Sequence, residues 1–267
     1  VEEGEMSSYR RDLAIRVSLL ILTPLIASSA QNSPSAPPLT TNEIVQKLMA
    51  ANTRRSEALR GYSGKRNYHV DYTGWFGHRT ADLQVQVTYT APDKKEFREI
   101  SRSGSNLLVN RILMRLLRSE SEAQESQNRH ELEVTTNNYN FALEDFQHTP
   151  AGDFYVLKVT PKGQSRYLYR GKIWVDAHDF AITRMEGEPQ RTPSMWASHT
   201  EVAYRWLQQN GFWLPQHTES ASQVRMGGKV TLTIDYSDYQ ISTGTRLAND
   251  GQRDTLPSPT TVTADPP

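Results

Sequence analysis

The chain has 267 residues, no cysteine, and 30 basic residues against 30 acidic ones. The missing thiols exclude a disulfide scaffold, a zinc ribbon, an iron–sulfur site, a thiol nucleophile and lipid attachment through a cysteine. The balanced charge gives no global pull toward nucleic acid or an anionic membrane surface, and 36% hydrophobic residues with 15 Gly and 14 Pro describe a globular chain of one domain or two.

Residues 1–30 read as an address. Met6 is the expected start; Arg10, Arg11 and Arg16 precede an apolar run from Val17 to Ala27, and Ala27-Ser28-Ser29-Ala30 offers small residues for cleavage. The apolar run is too short to span a bilayer, which takes roughly 20 residues. No later stretch reaches that length, so the sequence predicts an exported chain, soluble in the periplasm after cleavage. Its charge stays close to neutral without residues 1–30.

Residues 31–40 are rich in Ser and Pro and are expected to be a flexible linker. Residues 244–267 carry Thr, Pro, Asp and Gly but few large apolar side chains, and are expected to be a disordered tail. The folded unit is then 41–243. It opens with a helix capped by Thr41-Asn42, with Ile44, Val45, Leu48 and Met49 on one stripe and Gly61 as its stop. Period-two alternation follows through Tyr68, Val70 and Tyr72, and again through Leu83, Val85, Val87 and Tyr89. A third strand runs through Phe97 and Ile100. A second helix is predicted from Ser105 to Ala123. Seven more strands follow, near 138–148, 154–160, 172–176, 180–186, 196–206, 212–220 and 229–239, separated by turn-forming pairs such as Asn210-Gly211 and Gly227-Gly228. This is a mainly β (α+β) chain with about ten antiparallel strands, which must curl to protect its edges.

On the second helix Leu108, Val109, Ile112, Leu113, Leu116 and Leu117 fill a broad apolar arc, while Arg111, Arg115 and Arg118 lie opposite with Leu107 and Met114. Two readings stay open: the helix plugs a curled sheet, or it is a movable lid over an apolar cavity. The arginine face is either a solvated surface or a contact for an envelope protein. Trp174, Phe180, Trp196, Trp213 and Tyr236 crowd the later strands, either as packing or as cavity lining. No phosphate-binding loop, nucleophile elbow or His-Glu-x-x-His motif is present. Asp176, His178 and Asp179 cluster at a turn and read as turn residues, so no metal and no cofactor are expected. Glu144 and Asp145 are adjacent on a strand, which aims them at opposite faces and argues against a catalytic pair.

Lys172-Ile-Trp-Val-Asp176, Phe180-Ala-Ile-Thr-Arg-Met-Glu186, Gly211-Phe-Trp-Leu-Pro215 and Gly228-Lys-Val-Thr-Leu-Thr-Ile-Asp-Tyr236 together resemble the C-terminal half of outer-membrane lipoprotein-sorting proteins of the LolA/LolB-like superfamily. Ala91-Pro-Asp-Lys-Lys-Glu-Phe97 and the Ser103–Leu117 helix resemble the N-terminal half. The resemblance implies a half-open, strongly curled antiparallel β-barrel covered by an N-terminal helix and a second helix on its open side. It also implies a non-enzymatic carrier whose apolar cavity binds lipid or lipoprotein acyl chains. The alternative is an envelope sensing or protein-binding module built on the same barrel.

Overall fold

The computed structural model describes residues 39–243 except 76, 93, 124–132, 166, 192–196 and 226. The expected signal segment, most of the linker and the tail fall outside the described residues. Helix α1 (Thr41–Ala58) is capped by Thr40 rather than Thr41-Asn42. The Glu43 amide donates to the Thr40 hydroxyl at 3.3 Å, and the Thr40 amide donates back to the Glu43 carboxylate at 2.8 Å. This reciprocal pair satisfies two amides that a helix start leaves open. Gly61 does not stop the helix. It lies inside the first strand, where any Cβ would strike the Tyr89 carbonyl of the neighbouring strand.

All ten expected strands form: β1 (Leu59–Gly74), β2 (Gly77–Thr90), β3 (Lys94–Gly104), β4 (Tyr139–Thr149), β5 (Gly152–Pro161), β6 (Tyr169–Asp176), β7 (Ile182–Pro189), β8 (Ala197–Gln209), β9 (Phe212–Val224) and β10 (Gly228–Thr243). They make one antiparallel sheet in the order β3-β2-β1-β10-β9-β8-β7-β6-β5-β4. The first and last strands pair in its interior, leaving β3 and β4 as the two edges. Register shifts in the β1–β10, β2–β3, β4–β5, β6–β7 and β8–β9 pairs bend the sheet. The sheet is curled and half-open.

The second helix lies where the chain passes from edge β3 to edge β4. It comprises α2 (Asn106–Leu108), a π-helical segment (Val109–Leu113) and α3 (Met114–Ala123). Topology therefore gives this connection, and no hairpin, the task of covering the open side.

Strand register places Leu83, Tyr68, Ile234, Thr218, Tyr204, Met185, Ile173, Leu157 and Leu143 opposite one another across successive strands. Facing residues in antiparallel pairs share one side of the sheet, so this row crosses a single inner face. Its two ends are apolar and each holds a helix. Ile44, Val45 and Leu48 of α1 pack with Leu157, Ile173 and Val175. Leu108, Val109 and Leu113 pack with Tyr68, Val70, Leu83 and Val85. The middle of the row, Thr218 and Tyr204, is polar, so the inner face is apolar at its two ends and polar between them.

The outer face carries cross-strand pairs that sequence spacing did not disclose. His69 lies 2.7 Å from Asp82, His78 2.7 Å from Asp71, and His217 2.7 Å from Asp235. At β4 the register shift between Leu143 and Asp145 alters the expectation for the adjacent carboxylates. Glu144 pairs with Lys172 at 2.8 Å, and the Asp145 charge also acts on Lys172.

Candidate functional site

Beneath α3 the helix and the β2–β3 edge enclose a groove of about 380 Å³, lined by Val85, Phe97, Met114 and Leu117 with Lys95, Glu99 and Arg118. The broad apolar arc explains its shape. Leu108, Val109 and Leu113 are buried, Ile112, Leu116 and Leu117 are partly buried against the same cluster, Leu107 is exposed, and Met114, against the expectation of an outward position, lines the groove while keeping partial exposure. The π-helical segment falls where buried contacts give way to open ones. Such a segment is rare, occurs mostly as a single turn inside an α-helix, and is frequent at functional sites.

Lys95, which lines the groove, belongs to a charged cluster beside it. Arg66 on β1 is 5% exposed, and its guanidinium lies 2.6 Å from the Glu120 carboxylate of α3. Lys95 on β3 meets the other oxygen of the same carboxylate at 2.5 Å. The Arg66 guanidinium also donates to the Tyr68 hydroxyl at 3.3 Å and stacks over the rings of Tyr236 and Phe97 at 5.0 and 5.6 Å. Burial alone would push the Glu120 carboxyl up, but Lys95 and Arg66 outweigh it and hold the group below its ordinary value. Burial likewise works against the Arg66 charge, which Glu120 more than restores. Tyr68 and Tyr236 are pushed upward chiefly by burial, and Tyr204 is pushed up to about 12 by the same cause. These phenols stay neutral and can donate hydrogen bonds. Across the inner face, the Tyr169 hydroxyl is buried and has no hydrogen-bond partner among the described residues.

The structure gathers Leu108, Ile112, Leu113, Leu116, Leu117 and Tyr236 around one cluster. It disperses the other expected lining residues. Trp174 lies between inward Ile173 and Val175, so it points to the outer face, where its indole donates to Gln147 at 3.0 Å and Arg184 stacks on it. Phe180 sits in the β6–β7 turn at φ 54° rather than in a strand, and packs against the α1 cluster. Trp213 donates to Asp179 at 2.6 Å. Trp196 is outside the described residues. Arg111, Arg115 and Arg118 are exposed, without a carboxylate partner among the described residues. The Asp176 carboxylate accepts from the His178 and Asp179 amides at 2.9 and 3.0 Å, which builds the turn.

Arg66, Lys95 and Glu120 were not anticipated. One signal was available: carrying the β1 alternation back two positions from Tyr68 puts Arg66 on the dry face, among Tyr68, Val70 and Tyr72. Nothing local marked Glu120, which reaches Arg66 only across 54 residues of chain.

A larger groove of about 610 Å³ lies between α1 and the β6–β7 and β8–β9 turns, lined in part by Lys47, Arg54, Arg55, Asp179 and Phe180. Its walls are fixed. The Asp179 carboxylate takes the Trp213 indole, the Gln208 amide, the Ala181 amide and an ion pair with Arg55 at 3.5 Å. The smaller groove is therefore the better candidate of the two, because it joins apolar lining, the buried cation Lys95 and an interrupted helix.

The architecture is an open, curled antiparallel sheet with helices on its inner face. No protein-family profile and no curated protein matches the chain. Among solved structures it is similar to a DUF1329 family protein from Desulfovibrio piger, at 11% identity over 78% of this chain and 95% of the other, with a TM-score of 0.41. It is also similar to a LolA superfamily protein from Nitrosomonas europaea, at 15% identity over 77% and 94% of the two chains, TM-score 0.36. A third is an outer membrane lipoprotein-sorting protein domain from Vibrio parahaemolyticus, at 13% identity over 77% and 93%, TM-score 0.40. Two of these three carry the family name read from the sequence. The likeness is one of fold.

Proposed function

We propose that the protein is a non-enzymatic carrier that holds the acyl chain of a lipid or lipoprotein in the groove beneath α3, and that it works in the periplasm after removal of residues 1–30. One observation carries this reading. The helix that joins the two sheet edges anchors itself through Leu108, Val109 and Leu113, and leaves Leu117 and Met114 lining a groove beside Val85 and Phe97. Each methylene taken from water contributes about 0.8 kcal/mol. A chain laid in the groove gains this without a catalytic group, and lateral movement of α3 about its π-helical segment would lengthen the space. The signal-like pattern of residues 6–30 supports export.

The test is displacement of a fluorescent fatty-acid probe, joined to mass spectrometry of lipid extracted from the protein purified from its native envelope. Probe binding and a co-purifying acyl species are expected. Met114→Trp fills the groove from an exposed position and should weaken binding by about tenfold, or 1.4 kcal/mol. Absence of both probe binding and acyl species would falsify the reading. A stoichiometric protein partner lost on reversing Arg111, Arg115 and Arg118 to Glu would favour the protein-binding alternative.

A further inference from the structure

Two cations meet one carboxylate beside the groove, Lys95 as one of its lining residues and Arg66 stacked on the lining ring of Phe97. Arg66 is buried, the Lys95 side chain is only 9% exposed, and Glu120 is the acid that bridges them. Glu99, which also lines the groove, is engaged by Arg102 at 2.7 Å. Glu96 is engaged by Lys94 at 2.7 Å. Among the described residues the site therefore holds one positive charge more than it neutralises. Its walls are Tyr68, Phe97 and Tyr236, which cannot supply a negative charge while the phenols stay protonated. Buried charge without a counter-charge is costly, so these two cations need an anion beside them, which Glu120 supplies in the free protein.

Glu120 itself shows what such an anion looks like. It presents two oxygens, one to the planar Arg66 fork and one to the Lys95 ammonium, which is how a guanidinium and an ammonium share a carboxylate or phosphate. It is delivered by α3, downstream of the π-helical segment. The chain of a ligand in the groove would run past Phe97 and Leu117 toward the same two cations.

We propose that Arg66 and Lys95 form the head-group site for an anionic amphiphile whose chain lies beneath α3, and that Glu120 fills this site in the free protein as an internal competitor. This rests on the groove being the acyl-chain site, and it narrows the ligand from any acyl chain to one that ends in a carboxylate or phosphate. Binding then exchanges one anion for another at Arg66. The protein favours ligands able to displace Glu120, and neutral acyl chains gain only the apolar part of the groove.

The test uses the full 267-residue chain, with palmitate, palmityl phosphate, palmityl alcohol and inorganic phosphate as competitors of a neutral fluorescent alkyl probe. The two anionic amphiphiles should compete at least about tenfold better than the alcohol, and the order between them assigns carboxylate or phosphate as the better head. Inorganic phosphate should compete weakly. Arg66→Gln should erase the advantage of the anions while leaving the alcohol unchanged, and Lys95→Gln reads the same loss if the first variant fails to fold. Glu120→Gln should strengthen the anions and leave the alcohol as it was. Equal competition by alcohol and anions overturns the proposal and spares the acyl-binding reading. So does a charge preference that survives both cation variants, or inorganic phosphate competing as well as palmityl phosphate. Failure of every amphiphile to compete removes the acyl-binding reading, and the proposal with it.

Discussion

The guanidinium of Arg66 and the carboxylate of Glu120 lie 2.6 Å apart, tying the covering helix to the inner face of the sheet at a point where neither partner is fully hydrated. Removing one member of a buried pair generally costs about 3–5 kcal/mol, because the survivor is left charged and unpaired. The Glu120 side chain keeps 25% of its exposure, so Glu120→Gln should cost less, about 2–3 kcal/mol. Urea unfolding measures it. Replacing both residues with methionine should recover part of the loss, and a double variant as unstable as the worse single one would show that the pair does not act as a unit.

The same pair sets a pH window. The Glu120 carboxyl is held below its ordinary value once the pull of Lys95 and Arg66 exceeds the effect of burial. A lowered carboxyl contributes stability that is complete above the unfolded value of about 4.3 and lost as pH falls through the folded value. Among the described residues the groups interacting with Glu120 are Arg66, Lys95 and the phenols of Tyr68, Tyr204, Tyr236 and Tyr239, and the phenols are pushed away from the acid range. Amide exchange in α3 should therefore be flat from about pH 8 to 5 and speed up below about pH 4, once corrected for intrinsic rates. In Glu120→Gln that acid acceleration should vanish. If it persists unchanged, the latch is not this carboxyl.

The helix has a dry side and a wet side, and the two should respond differently to truncation. Leu113 is fully buried, whereas Leu107 is 56% exposed. Leu113→Ala should cost about 3 kcal/mol by leaving a cavity against Tyr68 and Leu83. Leu107→Ala should stay within about 0.5 kcal/mol. Thermal unfolding of the two variants side by side tests which face carries the packing.

Gly187 on β7 stands opposite Gly171 on β6, and a Cβ at either position would collide with the neighbouring strand's backbone. The two strands thus approach more closely than side chains allow. Gly187→Ala should destabilise by about 1–3 kcal/mol through overpacking, read as a lowered melting temperature. A neutral result would mean that the strands can part there without cost.

Much of the architecture could be read along the chain because its signals are local. Alternation at Tyr68–Tyr72 and Leu83–Tyr89, and turn pairs such as Asn210-Gly211, act within a few residues, and they placed ten strands and both helices. The helix arc from Leu108 to Leu117 was equally legible, since a helix periodicity is fixed by its own geometry. The site was less so. Trp174, Phe180 and Trp213 look alike as large aromatics near strands, yet one faces outward, one occupies a turn at positive φ, and one is spent on Asp179. Which face a side chain takes depends on register and bulges, and these depend on the partner strand.

Sequence by itself determined the mainly β composition, the meander of hairpins, the position of the covering helix and its amphipathic sides. Only the tertiary structure decided that β1 and β10 meet in the middle of the sheet, that β3 and β4 are its edges, and that Glu120 is carried back to Arg66 and Lys95. The division follows from the range of the forces. Propensity and periodicity act between neighbours in the chain. A buried charge finds its partner through space, and the counter-charge for Arg66 becomes visible only when the covering helix is laid across the open side.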